Sequence, residues 1–167
     1  SLHYGDEDRD EFLTETMTSL FKLFAAACFG IVACMPFIFP ILINTKYDAA
    51  YNQILILMYA MLFRVLVGMY SCIYIATKQS NKVAITSIAA AVINLAVDLL
   101  CINKIGLYAA SVSSLIAFFA MFIIRYFDVN KIVRMKINHQ VVVSSILIGS
   151  LLSLAYYSNQ KTFQIVV

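Results

Sequence analysis

Five apolar stretches, each about as long as a membrane-spanning helix, dominate this sequence of 167 residues. They cover residues 23–43, 49–77, 83–102, 105–124 and 139–157, and a sixth begins at residue 162. A helix needs roughly 20 apolar residues to cross roughly 30 Å of hydrocarbon. The alternating ten-residue segments typical of membrane barrels do not occur. The sequence therefore predicts an all-α, polytopic membrane bundle of five to six transmembrane helices.

The composition supports the same fold class. The chain is 62% hydrophobic and 13% charged, whereas a soluble domain is roughly half apolar and a quarter charged. The net charge of +3, without a basic run between aromatic residues, gives no indication of a nucleic-acid partner. The four cysteines lie in apolar stretches and lack metal-ligand spacing, so we interpret them as buried hydrophobic residues: Cys28, Cys34, Cys72 and Cys101. We expect no cofactor and no metal.

Positive charges between the apolar stretches predict the orientation. If residues 1–22 are cytoplasmic, that side carries eight basic residues: Arg9, Lys22, Lys78, Lys82, Arg125, Lys131, Arg134 and Lys136. The opposite side carries Lys46, Lys104 and Lys161. This asymmetry agrees with the positive-inside rule. Residues 1–22 then form an amphipathic cytoplasmic entry segment, either on the leaflet surface or as an extension of the first span, and residues 23–167 form the bundle.

Both ends of the sequence and its shortest hairpins bear on the organisation of the bundle. The chain begins with Ser1 rather than Met and ends as an apolar run opens, so we expect part of a longer membrane protein.

The outer hairpins at 44–48 and 103–104 are so short that the helices they connect must be antiparallel neighbours. Small residues recur every four positions, which allows close helix approach: Gly68, Cys72, Ala76; Ser87, Ala91; Ala109, Ser113, Ala117.

Few polar or helix-bending residues lie inside the apolar stretches. Pro36 and Pro40 predict a kink near the outer end of the first span. Arg64 lies midway along its stretch, where a cation costs about 2.5–3.5 kcal/mol, so it should face protein or a water-filled cavity. Its guanidinium could attract an anionic substrate such as a phosphate, or it could form an internal contact. Asp98 lies about one turn from the outer end of its span, in a hydrated vestibule or as a cap, with ion or proton coupling as the alternative.

One segment is similar to a known family. Residues 93–110, INLAVDLLCINKIGLYAA, combine an Asn-containing span, a short turn and a Gly-x-x-Ala-Ala start of the next helix. Over residues 10–130 the chain resembles the C-terminal half of polysaccharide-biosynthesis membrane proteins. These are the oligosaccharide flippases of the multidrug/oligosaccharidyl-lipid/polysaccharide exporter superfamily. The sequence departs from that family at Asp98, where a neutral residue is usual, and at Asn103 or Lys104, where a Pro is frequent.

The resemblance implies a two-bundle transporter of 12–14 helices, with this chain supplying most of the second bundle. Its partners would be membrane lipids, the N-terminal helix bundle and a lipid-linked oligosaccharide of the undecaprenyl-pyrophosphate type. Alternating access would move that lipid across the bacterial cytoplasmic (inner) membrane for cell-surface polysaccharide biosynthesis. On this basis we expect Arg64 and Asn94 to bind substrate, with Asp98 as the candidate for ion or proton coupling.

Two other functions stay open at this point. In a cation-coupled multidrug antiporter of the same superfamily, Asp98 would be the working residue and Arg64 would be structural. A non-transporting membrane assembly subunit is the alternative from another class. We expect no enzyme, because the sequence carries neither a catalytic set of residues nor the long loops of membrane glycosyltransferases.

Overall fold

The computed structural model describes residues 6–42, 48–131, 143–145 and 147–151. Four long helices make up most of this part of the chain: α1 (Asp6–Leu42), α2 (Asp48–Ala76), α3 (Ser80–Ile105) and α4 (Tyr108–Val129). The pieces at 143–145 and 147–151 are also helical. Apart from short turns at 77–79, 106–107 and 130–131, the described residues are therefore helical, and the fold class is all-α as the sequence predicts.

Four helices are long and apolar enough to cross a membrane. The qualifying segments are Asp10–Met35, Gln53–Ala76, Ser80–Ile105 and Tyr108–Val129. The last three correspond to predicted stretches, whereas the first overlaps the predicted span at 23–43 but begins inside the predicted entry segment. This is consistent with a multi-pass membrane protein. The predicted fifth span is described only at 143–145 and 147–151, and the sixth lies outside the described residues.

α1 is a single helix of 37 residues. At 1.5 Å per residue it is about 55 Å long, well beyond the thickness of the hydrocarbon core. Residues 6–22 continue directly into the first predicted span, so the entry segment and that span share one helix axis. The helix also continues through Pro36 and Pro40, where the kink stays a prediction.

Two tight turns connect the last three long helices. After α2, Lys78 adopts a left-handed backbone with φ of 58°. The Lys78 and Gln79 amides donate to the Ile75 and Tyr74 carbonyls at 3.0 and 2.7 Å, the pair of bonds that defines a Schellman motif. After α3, the turn is made by Gly106 and Leu107, because α3 runs through the predicted hairpin at 103–104 to Ile105. Both connections make consecutive helices antiparallel neighbours.

Replacing Gly106 tests the second turn. Its φ of 55° and ψ of −129° lie in a region that side chains with a Cβ rarely adopt, although a Cβ there would meet no atom within 4 Å. We expect Gly106→Ala to lower the free energy of unfolding by about 1–3 kcal/mol through backbone strain alone. Gly30→Ala is the matched control, because Gly30 also has open space but lies inside α1. Unfolding in detergent micelles measures both, and equal stability of the two variants would contradict the strain argument.

α4 is the main packing partner of both α2 and α3. It packs along both α2 and α3, whereas α2 and α3 contact each other much less. At their junction Val67 of α2, Ala90 of α3 and Met121 of α4 form a buried cluster, against which Phe118 and Phe122 pack. Burying such side chains between helices fixes their relative positions through close packing.

α1 completes the bundle on the side of α2. Phe21 packs with Leu66 and Met69, and Val32 packs with Leu55. The piece at 147–151 lies against both helices, since a Cβ on Gly149 would come within 2.8 Å of the Phe29 ring and the Tyr59 hydroxyl. A side chain at position 149 would require the Phe29 ring and the Tyr59 hydroxyl to move.

Candidate functional site

Arg125 is the most deeply buried charged side chain in the described part of the protein, with 2% of its surface exposed. The prediction that Arg125 lies in a cytoplasmic loop is wrong, because α4 continues past Ile124 to Val129. Removing Arg125 from the basic residues of that side leaves seven against three, so the charge asymmetry persists. Arg125 instead lies in the protein interior.

The Arg125 guanidinium is surrounded by oxygen atoms from two other helices. Its Nε donates to Thr86 Oγ1 at 3.0 Å. Its Nη1 donates to the Val67 carbonyl at 2.9 Å and to Ser71 Oγ. Its Nη2 donates to the Val83 carbonyl at 3.2 Å and to Ser87 Oγ at 3.1 Å. All five N–H donors of the side chain therefore have acceptors. We call these six residues the Arg125 cluster: Val67, Ser71, Val83, Thr86, Ser87 and Arg125.

The hydroxyl groups of the Arg125 cluster are oriented by their own helices. Ser71 donates to the Val67 carbonyl at 2.9 Å, and Thr86 donates to the Lys82 carbonyl at 2.7 Å. Because the hydroxyl protons of Ser71 and Thr86 are already engaged, the lone pairs of these two oxygens remain to accept from Arg125. The cluster thus holds a cation by dipoles alone and ties α2, α3 and α4 together at one level.

A second polar group borders the Arg125 cluster. The Asp128 carboxylate accepts hydrogen bonds from the Tyr74 hydroxyl and from Lys82 Nζ, each at 2.8 Å. The Tyr74 ring centre lies 6.0 Å from Arg125 Cζ and 5.8 Å from Lys82 Nζ. Tyr74 therefore lies between the Arg125 guanidinium and the ion pair of Lys82 with Asp128, at the end of the bundle where α2 and α4 finish and α3 begins.

Arg64 has very different surroundings. Its side chain lies on an exposed face of α2, and its guanidinium stands 5.7 Å from the Phe118 ring centre. Among the described residues it has no hydrogen-bond acceptor and no carboxylate partner, Asp98 included. A cation over an aromatic ring gains about 0.5–1 kcal/mol at an exposed site. Because this contact uses no N–H group as a hydrogen-bond donor, the five N–H donors of Arg64 remain available to a ligand.

Asn94 lies close to the same face of α4 as Arg64. Its amide donates to Ser114 Oγ at 3.3 Å, and its carbonyl oxygen accepts from Ser113 Oγ at 3.5 Å. Ser114 and Phe118 are one helical turn apart on α4, so Arg64 and Asn94 contact α4 at adjacent levels. Asp98, one turn beyond Asn94 on α3, is half-buried. We call Arg64, Asn94, Ser114 and Phe118 the Arg64 site.

A signal for Arg125 was present in the sequence. The predicted small-residue stripe of α4 is buried, with Ala109, Ser113 and Ala117 at most 3% exposed. Continuing its four-residue spacing reaches Met121 and then Arg125, which lie on the same face and are also buried. The buried hydrogen bond from Ser111 to Gln53 Oε1, at 2.8 Å, carried no comparable signal.

Within the described residues, no group of His, Cys, Asp and Glu side chains is arranged to hold a metal ion. Comparison with known proteins adds no assignment: no family model, curated protein or solved structure matches this chain significantly.

Proposed function

We propose that this chain is part of a membrane transporter that flips a lipid-linked oligosaccharide across a bacterial cytoplasmic membrane. It would supply part of one bundle of a larger transporter of 12–14 helices, with further spans beyond the four long helices. The substrate carries a pyrophosphate between lipid and sugar. The resemblance of residues 93–110 to the oligosaccharide flippases motivates this choice of substrate.

The observation that carries the proposal is the contrast between the two arginines. Arg125 has an acceptor for each of its donors, so it acts as a structural link between helices. Arg64 is exposed near the middle of its helix and has no acceptor among the described residues. A cation at that depth is unfavourable in lipid, so it requires water, protein or an anionic ligand. A pyrophosphate offers acceptors that a guanidinium can bind in a forked geometry.

The neighbouring residues suit a head group that also bears hydroxyls. Beyond its bonds to Ser114 and Ser113, the Asn94 amide keeps one N–H donor and one carbonyl lone pair for a ligand. The Arg125 cluster keeps α2, α3 and α4 together, so the two sides of the Arg64 site would move as a unit during alternating access. Asp98 lies near the site and stays the candidate for ion coupling.

Loss of the protein from its host tests this function against the alternatives. We expect deletion to deplete cell-surface polysaccharide and to accumulate lipid-linked oligosaccharide on the cytoplasmic leaflet, because synthesis continues while translocation stops. Accessibility of the sugar to an impermeant lectin or oxidant distinguishes the two leaflets. Unchanged polysaccharide together with sensitivity to cationic drugs would favour the antiporter. Unchanged polysaccharide with loss of a membrane complex would favour an assembly subunit.

A further inference from the structure

The hydroxyl of Tyr70 is the one buried side-chain polar atom without a hydrogen-bond partner in the described part of the protein. Tyr70 is 2% exposed, and its ring packs 6.0 Å from that of Phe122. Nearly all buried polar groups in proteins have a partner. The unsatisfied hydroxyl raises the free energy of this arrangement of helices. Any movement that brings water to the hydroxyl supplies the missing hydrogen bond and removes that cost.

The first half of α1 provides part of the cover over the cluster that contains Tyr70, and Val83, Phe122 and Tyr126 of α3 and α4 provide the rest. Tyr70 belongs to a buried cluster with Ile73, Tyr74 and Val129, against which Leu13 and Met17 of α1 pack. Further along, Phe21 packs with Leu66 and Met69. The cover is therefore made by apolar side chains whose contacts are not directional.

This seam differs from the junction of the other helices. The hydroxyls of Thr14 and Thr18 on this part of α1 donate to carbonyls of their own helix, at 2.7 Å each. In contrast, five hydrogen bonds from Arg125 link α4 to α2 and α3. We therefore expect α1 to separate from α2 more readily than α2, α3 and α4 separate from one another.

We propose that residues 13–21 of α1 form a lid that lifts off α2 and α4 and admits water to the Tyr70 hydroxyl. Lifting also uncovers Tyr74, whose hydroxyl leads to Asp128. The lid thus controls water access to the end of the bundle where Lys82 and Asp128 pair. The lid does not depend on the identity of the substrate, so it can be tested independently of the flippase function.

Cysteine labelling measures the lifting directly. In the full-length protein in open membrane fragments, Cys28, Cys34, Cys72 and Cys101 are replaced by Ala, and Ile73→Cys is introduced beneath the lid. We expect a water-soluble maleimide to label this position. Tyr70→Phe should slow labelling by about tenfold, because the closed arrangement then holds no unsatisfied hydroxyl, whereas the open arrangement loses the hydrogen bonds of that hydroxyl to water. Leu13→Ala, which trims the cover, should accelerate it.

Two controls separate lifting from other effects. Tyr126→Phe makes the same chemical change at a half-buried position beside the cluster and should leave the rate unchanged. Ala90→Cys reports on the buried junction of α2, α3 and α4 and should stay unlabelled. Equal labelling at positions 73 and 90 would mean general unfolding and would overturn the lid. An unchanged rate with Tyr70→Phe would remove the role assigned to its hydroxyl.

Discussion

Removing the acceptors around Arg125 should destabilise the bundle more than removing Arg125 itself. We expect the double variant Thr86→Val with Ser71→Ala to lower the free energy of unfolding by about 2–4 kcal/mol. Hydrogen bonds to charged groups contribute about 1.5–3 kcal/mol each in water-soluble proteins. We use the lower end of this range for each bond, because hydrogen bonds between membrane helices contribute less. In lipid, the polar groups of the unfolded state also form hydrogen bonds. The buried guanidinium is then left with two donors that lack acceptors.

Arg125→Met should be milder because it leaves no unsatisfied group behind. The Ser71 and Thr86 hydroxyls would still donate to their own helices, at 2.9 and 2.7 Å. Replacing a buried charge by an apolar side chain of similar size is frequently close to neutral. In the Arg125→Met background, the double variant should therefore cost much less than it does alone.

Unfolding of the full-length protein in micelles, for all four combinations, gives this coupling directly. Thr18→Val is the matched control, because Thr18 donates only to the Thr14 carbonyl within α1. Additive effects of the Arg125 and acceptor substitutions would contradict the account of the cluster. A loss with Thr18→Val as large as that with Thr86→Val would do the same.

Substitutions at Arg64 should affect ligand binding and not stability, in contrast to substitutions in the Arg125 cluster. We expect Arg64→Ala to weaken binding of a pyrophosphate-bearing lipid by at least about tenfold, the effect of losing roughly 1.4 kcal/mol of interaction. Arg64→Lys should retain part of the affinity, since it keeps the charge but not the forked geometry. Both variants should fold normally, because the Phe118 contact is worth at most about 1 kcal/mol.

Binding to the purified full-length protein, with a phosphate-free lipid of the same chain length as the control ligand, checks this expectation. Equal affinity of Arg64→Ala and the parent protein would remove Arg64 from the substrate site. A large loss of stability in Arg64→Ala would show that its role is structural instead.

Much of the fold could be predicted because the solvent dictates it. In a bilayer every backbone polar group must be satisfied within the helix, so long apolar stretches specify helices almost by length alone. The first four predicted stretches therefore correspond to α1–α4. The boundaries were less predictable: charged ends such as Arg125 and Lys104 were placed outside the helices, whereas the helices include both.

The site was only partly predictable, for a related reason. Arg64 and Asp98 stand out because they interrupt apolar sequence, but the pairing of Arg125 with Thr86 and Ser71 depends on helix rotation and packing. Hydropathy gives the length of a helix and does not specify which helix each face contacts. The four-residue spacing from Ser113 to Arg125 was the available clue. The spacing alone does not show that this face of α4 contacts α2 and α3, which follows from the packing of the three helices.

The most direct test is flipping of a fluorescent lipid-linked oligosaccharide by the full-length protein in proteoliposomes. We expect translocation by the parent protein, its loss with Arg64→Ala and partial recovery with Arg64→Lys. Asp98→Asn in the same assay shows whether that residue couples transport to pH. Failure of the correctly folded parent protein to move the lipid, or equal translocation by Arg64→Ala, would contradict the account.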